Sequence, residues 1–237
     1  MKNNKCIAIL GGMGPQASSK LLEVMISMAT KDFGIKNDSD FPEIILDSIP
    51  VPNFISNKEN SKPALDVLRS RVKRLEVFEP FSFAIACNTA HLLLNDLQKT
   101  TRVPFISIIE QVANKVSEKR IKKVGLLATP ITIESNLYQS MLKKHKVEVI
   151  DPTKMDRIKL DTIIRRVIAG KTKPIDSLML LVIAKKLKSK GAEGIILGCT
   201  EIPLIFPKDR FEIPIFDSVE ILAEALLQKM VKGGEYI

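Results

Sequence analysis

The chain has 237 residues, of which 45% are hydrophobic and 27% are charged. This composition excludes an intrinsically disordered or collagen-like protein, and the length fits one large domain or two small ones. The longest apolar runs, such as 178–184, are far shorter than the roughly twenty residues of a membrane-spanning helix. The apolar run after Lys5 is too short for the core of a signal peptide. These features predict a cytoplasmic protein without a membrane partner.

The chain is basic, with 36 lysine and arginine residues against 27 aspartate and glutamate residues and a formal net charge of +9. Such a charge raises the question of nucleic-acid binding. Tryptophan is absent and tyrosine occurs twice, so aromatic platforms for stacked bases are few. We interpret the basic clusters as solvated helix faces and predict no nucleic-acid partner. The clusters are 69–74, 119–123, 143–146 and 185–190.

The three cysteines, Cys6, Cys87 and Cys199, are too few and too far apart for a disulfide scaffold. The chain has two histidines and no Cys-x-x-Cys pair, which leaves a zinc site without ligands. The sequence therefore predicts free thiols and no metal.

Short apolar runs alternate along the chain with longer segments of helical periodicity. Continuous apolar strands separated by helices are typical of parallel sheets with helices on both faces. The predicted strands are 6–10, 43–48, 83–86, 104–108, 124–128, 147–150, 194–197 and 213–216. The predicted helices are 18–30, 63–78, 89–98, 133–144, 157–169, 175–190 and 219–232.

The pattern occurs twice. The string KCIAILGG from Lys5 is matched by KKVGLLATP from Lys122, and FAIACNTAH around Cys87 is matched by GIILGCTEIP around Cys199. Both cysteine strings follow their first strand at nearly the same distance. We therefore predict an α/β protein with two similar parallel-sheet lobes and an active site in the cleft between them.

Ligands of open parallel sheets bind beyond the carboxyl ends of the strands. Cys87 and Cys199 both follow such strands, where the N-terminus of the next helix favours a thiolate. A thiolate on one face of a carbon atom can remove a proton while a thiol on the other face returns one. That pair of steps inverts a stereocentre without a cofactor. The alternative is that both cysteines are inert and buried, as we expect for Cys6.

Other candidates lie at the same strand ends. Met13 and Gly14 belong to a glycine-rich loop that resembles a phosphate-binding loop but matches neither the dinucleotide nor the Walker pattern. A backbone nest for a carboxylate fits this loop equally well. Asn88, Thr89, Thr129 and Thr200 suit either carboxylate binding or helix capping.

Two ionisable residues accompany the cysteines. His91 lies one helical turn after Cys87, where it can tune the thiol or simply pack in the core. Glu201 lies two residues after Cys199, where it can orient or polarise that site or serve as a first-turn carboxylate of a helix.

Four strings resemble the aspartate/glutamate racemase superfamily, and most closely its aspartate racemase branch. They are LGGMGP at 10–15, ACNTAH at 86–91, LATP at 127–130 and GIILGCTEIP at 194–203, and together they extend over nearly the whole chain. The resemblance implies racemisation of an amino acid without pyridoxal phosphate or another cofactor, with aspartate or glutamate as the default substrate. It also implies Cys87 and Cys199 as the paired acid and base, and commonly a homodimer.

The resemblance extends to supporting roles. It implies that Asn88, Thr89, Thr129 and Thr200 hold the α-carboxylate and that Met13 and neighbouring loop atoms line the pocket. The last strand and helix of such folds return to the first lobe. We therefore assign 1–105 and 211–237 to the first lobe, and 106–210 to the second.

Two positions depart from the aspartate racemase pattern. Racemases of this branch tend to carry an arginine in the turn after the second strand, where this chain has Phe54. They also tend to carry a lysine in the helix before the second catalytic strand, where it has Ile168. Because arginine recognises carboxylates in a bidentate way, these departures weaken the expectation of an acidic substrate.

Two alternatives stay open. The first is another isomerase, a decarboxylase or a hydantoin-type racemase of the same superfamily, acting on a non-acidic amino acid or another carboxylate. The second is a nonenzymatic basic module that binds nucleic acid or an acidic partner, and whose binding depends on salt.

Overall fold

The structure is a computed structural model that describes residues 6–54 and 58–232. Within these residues, eight strands form two four-stranded parallel sheets. The strands are β1 (Cys6–Gly11), β2 (Glu43–Ser48), β3 (Ser82–Ile85), β4 (Phe105–Ile106), β5 (Lys123–Leu127), β6 (Glu148–Ile150), β7 (Gly194–Leu197) and β8 (Ile215–Asp217). Their order is β2-β1-β3-β4 in one sheet and β6-β5-β7-β8 in the other. The predicted α/β class with two parallel-sheet lobes is confirmed.

Helices connect the strands. The α-helices are α1 (Pro15–Lys31), α2 (Ser61–Leu75), α3 (Leu94–Gln98), α4 (Ile108–Glu118), α5 (Pro130–Glu134), α6 (Leu137–Lys144), α7 (Lys154–Ile168), α8 (Pro174–Ser189) and α9 (Ser218–Lys232). Short 3₁₀ helices cover Asp38–Asp40, Lys58–Asn60, Glu76–Phe78, Thr89–Leu93, Ile202–Leu204 and Lys208–Arg210. None of the described helices has the length and hydropathy to cross a membrane.

The helices differ from the prediction in three places. The sequence analysis did not predict α4, which buries Ile109, Val112 and Val116. The predicted helix 133–144 is two helices, because Asn136 adopts the left-handed conformation (φ 56°) between α5 and α6. The predicted helix 89–98 begins as a 3₁₀ helix and becomes α-helical only at its last five residues.

The chain divides into two compact units, the first formed by Met1–Ile108 and Val219–Ile237 and the second by Ile109–Ser218. The sequence analysis assigned 211–237 to the first lobe. In the structure β8 pairs in parallel with β7, with Ile215 opposite Ile195, so the chain up to Ser218 belongs to the second unit. Only the part of α9 after Ser218 returns to the first unit.

The central strands of both sheets are buried, and the outer strands β2 and β6 are half-exposed. β1, β3 and β7 have no exposed residue, and β5 exposes only Lys123. Burial of apolar surface stabilises a fold by about 25 cal/mol per Å². The candidate cysteines follow two of these buried strands, β3 and β7.

Two buried carboxylates tie α7 to α8 in the second unit. Arg166 of α7 donates to Oδ1 of Asp176 at 2.7 Å, and the N–H of Lys173 donates to Oδ2 of the same residue at 2.8 Å. Lys186 of α8 donates to Asp156 of α7 at 2.8 Å. Both helices pack on the apolar cluster that contains Cys199, so these ion pairs support that part of the scaffold.

We expect Asp176→Ala to lower the free energy of unfolding by about 2–3 kcal/mol, because it leaves a guanidinium and the first turn of α8 without their acceptor. The matched control is Asp161→Ala. Asp161 pairs with Arg165 in a more exposed position, so its loss should cost about 0.5 kcal/mol or less. Urea denaturation measures both values, and equal losses would contradict a special role for the buried pair.

Candidate active site at the strand ends

Cys87 and Cys199 occupy the same place in the two sheets. Each is the second residue after a central strand, Cys87 after β3 and Cys199 after β7. Each strand pairs in parallel with the first strand of its unit, β3 with β1 and β7 with β5. The two thiols are almost completely buried, at 3% and 6% exposure. The equivalence that the sequence repeat predicts is therefore present in both sheets.

Cys87 packs with buried apolar side chains. One cluster of buried side chains includes Cys87, Met13, Phe54 and Leu93. The predicted site residues Met13 and Cys87 therefore belong to one cluster. Phe54 is only 2% exposed, so its side chain packs inside that cluster and does not face solvent.

His91 holds the backbone of Cys87. Its Nδ1 lies 2.9 Å from the carbonyl oxygen of Cys87, and the N–H of Ile108 donates to its Nε2 at 3.1 Å. Because Nε2 accepts, the proton is on Nδ1, which donates to the carbonyl. Burial lowers the pKa of His91 to about 4. The ring is therefore neutral, and it joins the segment of Cys87 to the start of α4.

The loop after β1 is closed by Ser18 of α1. Gly12 has φ +89°, and a Cβ there would lie 2.3 Å from the backbone nitrogen of Ile49, so only glycine fits. The N–H of Gly12 donates to Oγ of Ser18 at 2.9 Å, and that hydroxyl donates to the carbonyl oxygen of Gly14 at 3.1 Å. The peptide bond between Met13 and Gly14 is cis.

A carboxylate contacts Cys199 directly. The Cys199 thiol donates to Oε2 of Glu201 at 3.0 Å, and the Thr200 hydroxyl donates to the same oxygen at 3.2 Å. Glu201 is 3% exposed. The structure thus brings together Cys199, Thr200 and Glu201.

The remaining predicted residues are buried at the strand ends. Thr129 caps α5, because its Oγ1 accepts from the N–H of Thr132 at 3.1 Å, which is the capping alternative of the sequence analysis. Asn88 and Thr89 are 2% and 3% exposed. The carbonyl oxygen of Asn88 accepts from the N–H of His91 at 3.1 Å.

Sequence reasoning missed two residues near Cys199. Tyr138 of α6 is completely buried, and burial together with the charges of Cys199 and Asp217 raises its pKa well above the ordinary value. Asp217 ends β8 and pairs with Lys208. The position of Asp217 directly after a predicted strand is a signal that could have identified it, but no pattern in the sequence connects Tyr138 with Cys199.

The two positions that depart from the aspartate racemase pattern carry side chains with apolar contacts. Phe54 packs in the cluster of Cys87, and the half-buried Ile168 packs against the cluster of Cys199.

Burial raises the pKa of the Cys6 thiol to about 11, and Cys6 lies within β1 as a core residue, as predicted. Among the described residues, no group of three or more His, Cys, Asp or Glu side chains is arranged to hold a metal ion.

The fold thus consists of two α/β units with parallel sheets, and each unit carries a buried cysteine two residues beyond a central strand. The family model for Asp/Glu/hydantoin racemase matches residues 10–226, and the chain belongs to this family. It is an isomerase, an amino-acid racemase. The predicted resemblance is confirmed.

Similar proteins agree with this assignment. The broad specificity amino-acid racemase RacX of Bacillus subtilis is 30% identical over 226 residues, which cover 92% of this chain and 95% of that protein. The structure of PH1733, an aspartate racemase homologue from Pyrococcus horikoshii, has a TM-score of 0.79 and 31% identity, and the match covers 95% of this chain and 98% of that one. The Picrophilus torridus aspartate racemase has a TM-score of 0.82 and 28% identity, with coverage of 95% and 94%.

The burial of His91 predicts sensitivity to mild acid. Between about pH 6.5 and about pH 4, His91 is protonated in the unfolded chain, whereas its buried ring stays neutral in the folded protein. Stability should therefore fall as the pH falls through this window, by up to about 1.4 kcal/mol per pH unit and about 3 kcal/mol in total. Urea denaturation from about pH 7.5 to about pH 5 measures this slope, before most carboxylates titrate.

The chain supplies its own control for this prediction, since it has only two histidines. His91→Asn should remove the part of the slope that His91 contributes, whatever its effect on absolute stability. The matched control is His145→Gln, which replaces the other histidine and leaves the buried ring of His91 in place. An unchanged slope in His91→Asn would show that the buried ring does not cause the acid sensitivity.

Proposed function

We propose that the protein is an amino-acid racemase that needs no pyridoxal phosphate and uses Cys87 and Cys199 as its paired acid and base. The observation that carries the proposal is their equivalence. Each cysteine lies two residues beyond a buried central strand and shortly before a 3₁₀ helix. The core of an ordinary domain has no reason to repeat this arrangement around a thiol.

In the proposed reaction the two thiols act on opposite faces of the same α-carbon. A thiolate takes the α-proton, and the electron pair of the C–H bond stays on the carbon next to the carboxylate. The second thiol then donates its proton to the other face and becomes a thiolate. Each turnover therefore exchanges the protonation states of Cys87 and Cys199, and no electrons leave the substrate.

The intermediate needs donors near its carboxylate, because negative charge develops there. We propose the N–H groups and polar side chains of Asn88, Thr89 and Thr200 for this task, together with the segment that begins at Thr129. Met13 and Gly14 complete the wall beside Cys87. The hydrogen bond from Cys199 to Glu201 supports Glu201 as the group that orients this thiol.

We further propose a substrate whose side chain is not acidic. Phe54 and Ile168 are packed in apolar clusters with Cys87 and Cys199 respectively, at the two places where the aspartate racemase pattern has cations. A carboxylate side chain beside these groups would lose its hydration without gaining a cationic partner. The likeness to RacX, a broad specificity amino-acid racemase, favours the same conclusion. It also makes the default of the sequence analysis, aspartate or glutamate, the less favoured substrate.

Replacing either Cys87 or Cys199 with serine should lower racemisation of the best substrate by about a thousandfold or more, because each removes a group worth about 10²–10⁴ in rate. The assay is polarimetry or chiral chromatography across the common amino acids without added cofactor. The control is Cys6→Ala, which should keep its turnover within about threefold of wild type.

Hydrogen exchange makes this test sharper. In deuterated water each serine variant retains one thiol, so it should exchange the α-hydrogen of only one enantiomer, without inversion. The two variants should select opposite enantiomers. Full turnover in either variant, or exchange of both enantiomers by one of them, would rule out the two-thiol mechanism.

Phe54→Arg should shift the preference toward aspartate by about tenfold in kcat/KM relative to an apolar amino acid, because it restores a bidentate partner for a carboxylate. Phe54→Leu is the control and should leave aspartate a poor substrate. Melting temperatures show whether the buried arginine is tolerated. A wild-type enzyme that already prefers aspartate or glutamate over all other amino acids would contradict the proposed side-chain class.

A further inference from the structure

The completely buried Tyr138 has no role in the proposed function, although its position is unusual. It is 0% exposed and is among the largest fully buried side chains of the described residues. A tyrosine so deep in a core carries a polar hydroxyl into apolar surroundings, where such a group needs a polar partner. The residues around it indicate what the hydroxyl and the ring do.

The ring of Tyr138 packs against the backbone that leads into Cys199. Gly198 is the single residue between β7 and Cys199, and a Cβ added there would lie 2.9 Å from Cε2 of Tyr138. The same added atom would lie 2.7 Å from Cδ1 of Leu126. Leu126 and the ring of Tyr138 together fill the place where a side chain of residue 198 would lie, so the ring packs against the backbone one residue before Cys199.

Burial raises the pKa of the Tyr138 phenol well above its ordinary value, and negative charge on Cys199 and on Asp217 raises it further. The hydroxyl is therefore neutral throughout the working pH range and is available as a dipole. Asp217 is balanced by its ion pair with Lys208. From its own segment Cys199 meets the carboxylate of Glu201, which favours the protonated thiol.

We propose that Tyr138 is a positioning residue for Cys199, which directs the thiol through Gly198 and stabilises its thiolate form through the phenol dipole. The inference rests on the proposed function only in that Cys199 alternates between thiol and thiolate during turnover. Glu201 opposes the thiolate form and Tyr138 supports it, so the two residues together keep both forms accessible.

The test uses Tyr138→Phe, which keeps the ring and removes the hydroxyl. We expect kcat to fall about tenfold while KM stays within about twofold, because the hydroxyl acts on the reacting group and not on substrate binding. The acidic limb of the pH–rate profile should move to higher pH. The charged and titratable groups around Cys199 that bear on this profile are Glu201, Asp217, Lys208 and Tyr138 itself.

Alkylation by iodoacetamide gives a second measurement that does not depend on racemase activity. In a Cys6→Ala, Cys87→Ser background, Tyr138→Phe should move the midpoint of the pH–alkylation curve of Cys199 upward by about 0.5–1 pH unit. The matched control is Cys87, alkylated in a Cys6→Ala, Cys199→Ser background, whose curve should not change. Tyr138→Leu, which also removes the ring, should lower both kcat and the melting temperature further.

The outcomes are distinguishable. An unchanged kcat and an unchanged Cys199 curve in Tyr138→Phe would overturn the inference. Equal shifts of the pH–alkylation midpoints of Cys87 and Cys199 would show a merely structural role and overturn the inference as well. So would a lower kcat accompanied by a comparable rise in KM and a lower melting temperature. A shift confined to Cys199 in a protein that racemises no amino acid would support the inference while the proposed function fails.

Discussion

The constraint on which the rest of the molecule depends is the parallel pairing of β1 with β3 and of β5 with β7. In a parallel pair the carboxyl ends lie at one edge of the sheet, and the register fixes which residues meet there. Leu10 lies opposite Ile85, and Leu127 lies opposite Leu197. The residues that follow these four positions include every predicted site residue of both units. Because the strands are buried, they cannot slip in register without exposing their apolar side chains.

The two candidate cysteines thus have different environments. Cys87 belongs to an apolar cluster and its carbonyl is held by a neutral histidine, whereas the thiol of Cys199 meets a buried carboxylate with a buried phenol nearby. In a racemase the two enantiomers have equal free energies in water, so kcat/KM is the same in both directions. In the proposed two-thiol mechanism, unequal thiols therefore change kcat and KM separately for the two enantiomers, and only in compensating ways.

Most of the fold could be predicted from the sequence, because the apolar runs of a buried parallel sheet are continuous and their helices are periodic. All eight strands were predicted, and both cysteines were correctly placed after them. The assignment of 211–237 to the first lobe was taken from the family resemblance, whereas the pairing of β8 with β7 groups the residues up to Ser218 with the second unit. The periodicity of α4 was present in the sequence and was passed over beside the short strand β4.

The site could be predicted less completely, because its details depend on contacts between residues distant in sequence. The spacing of His91 from Cys87 indicated proximity, but only the bond from the N–H of Ile108 fixes its tautomer and directs it to the backbone. Gly198 could be identified as a turn residue, but not as the residue against which Leu126 and the ring of Tyr138 pack. Glu201 is the opposite case, since it is two residues from Cys199 and a role at that site was one of the two alternatives that its spacing suggested.

The apolar contacts of Phe54 and Ile168 bear on substrate choice through the cost of burying charge. The chain has a net charge of +9, and such an excess attracts anionic amino acids over long distances. In the proposed function, selection is nevertheless decided at these buried apolar side chains, because long-range attraction is screened by salt whereas the cost of removing a carboxylate from water is not. A basic protein with apolar walls beside its thiols would thus collect acidic and neutral amino acids alike. It would favour those whose side chains lose little by dehydration.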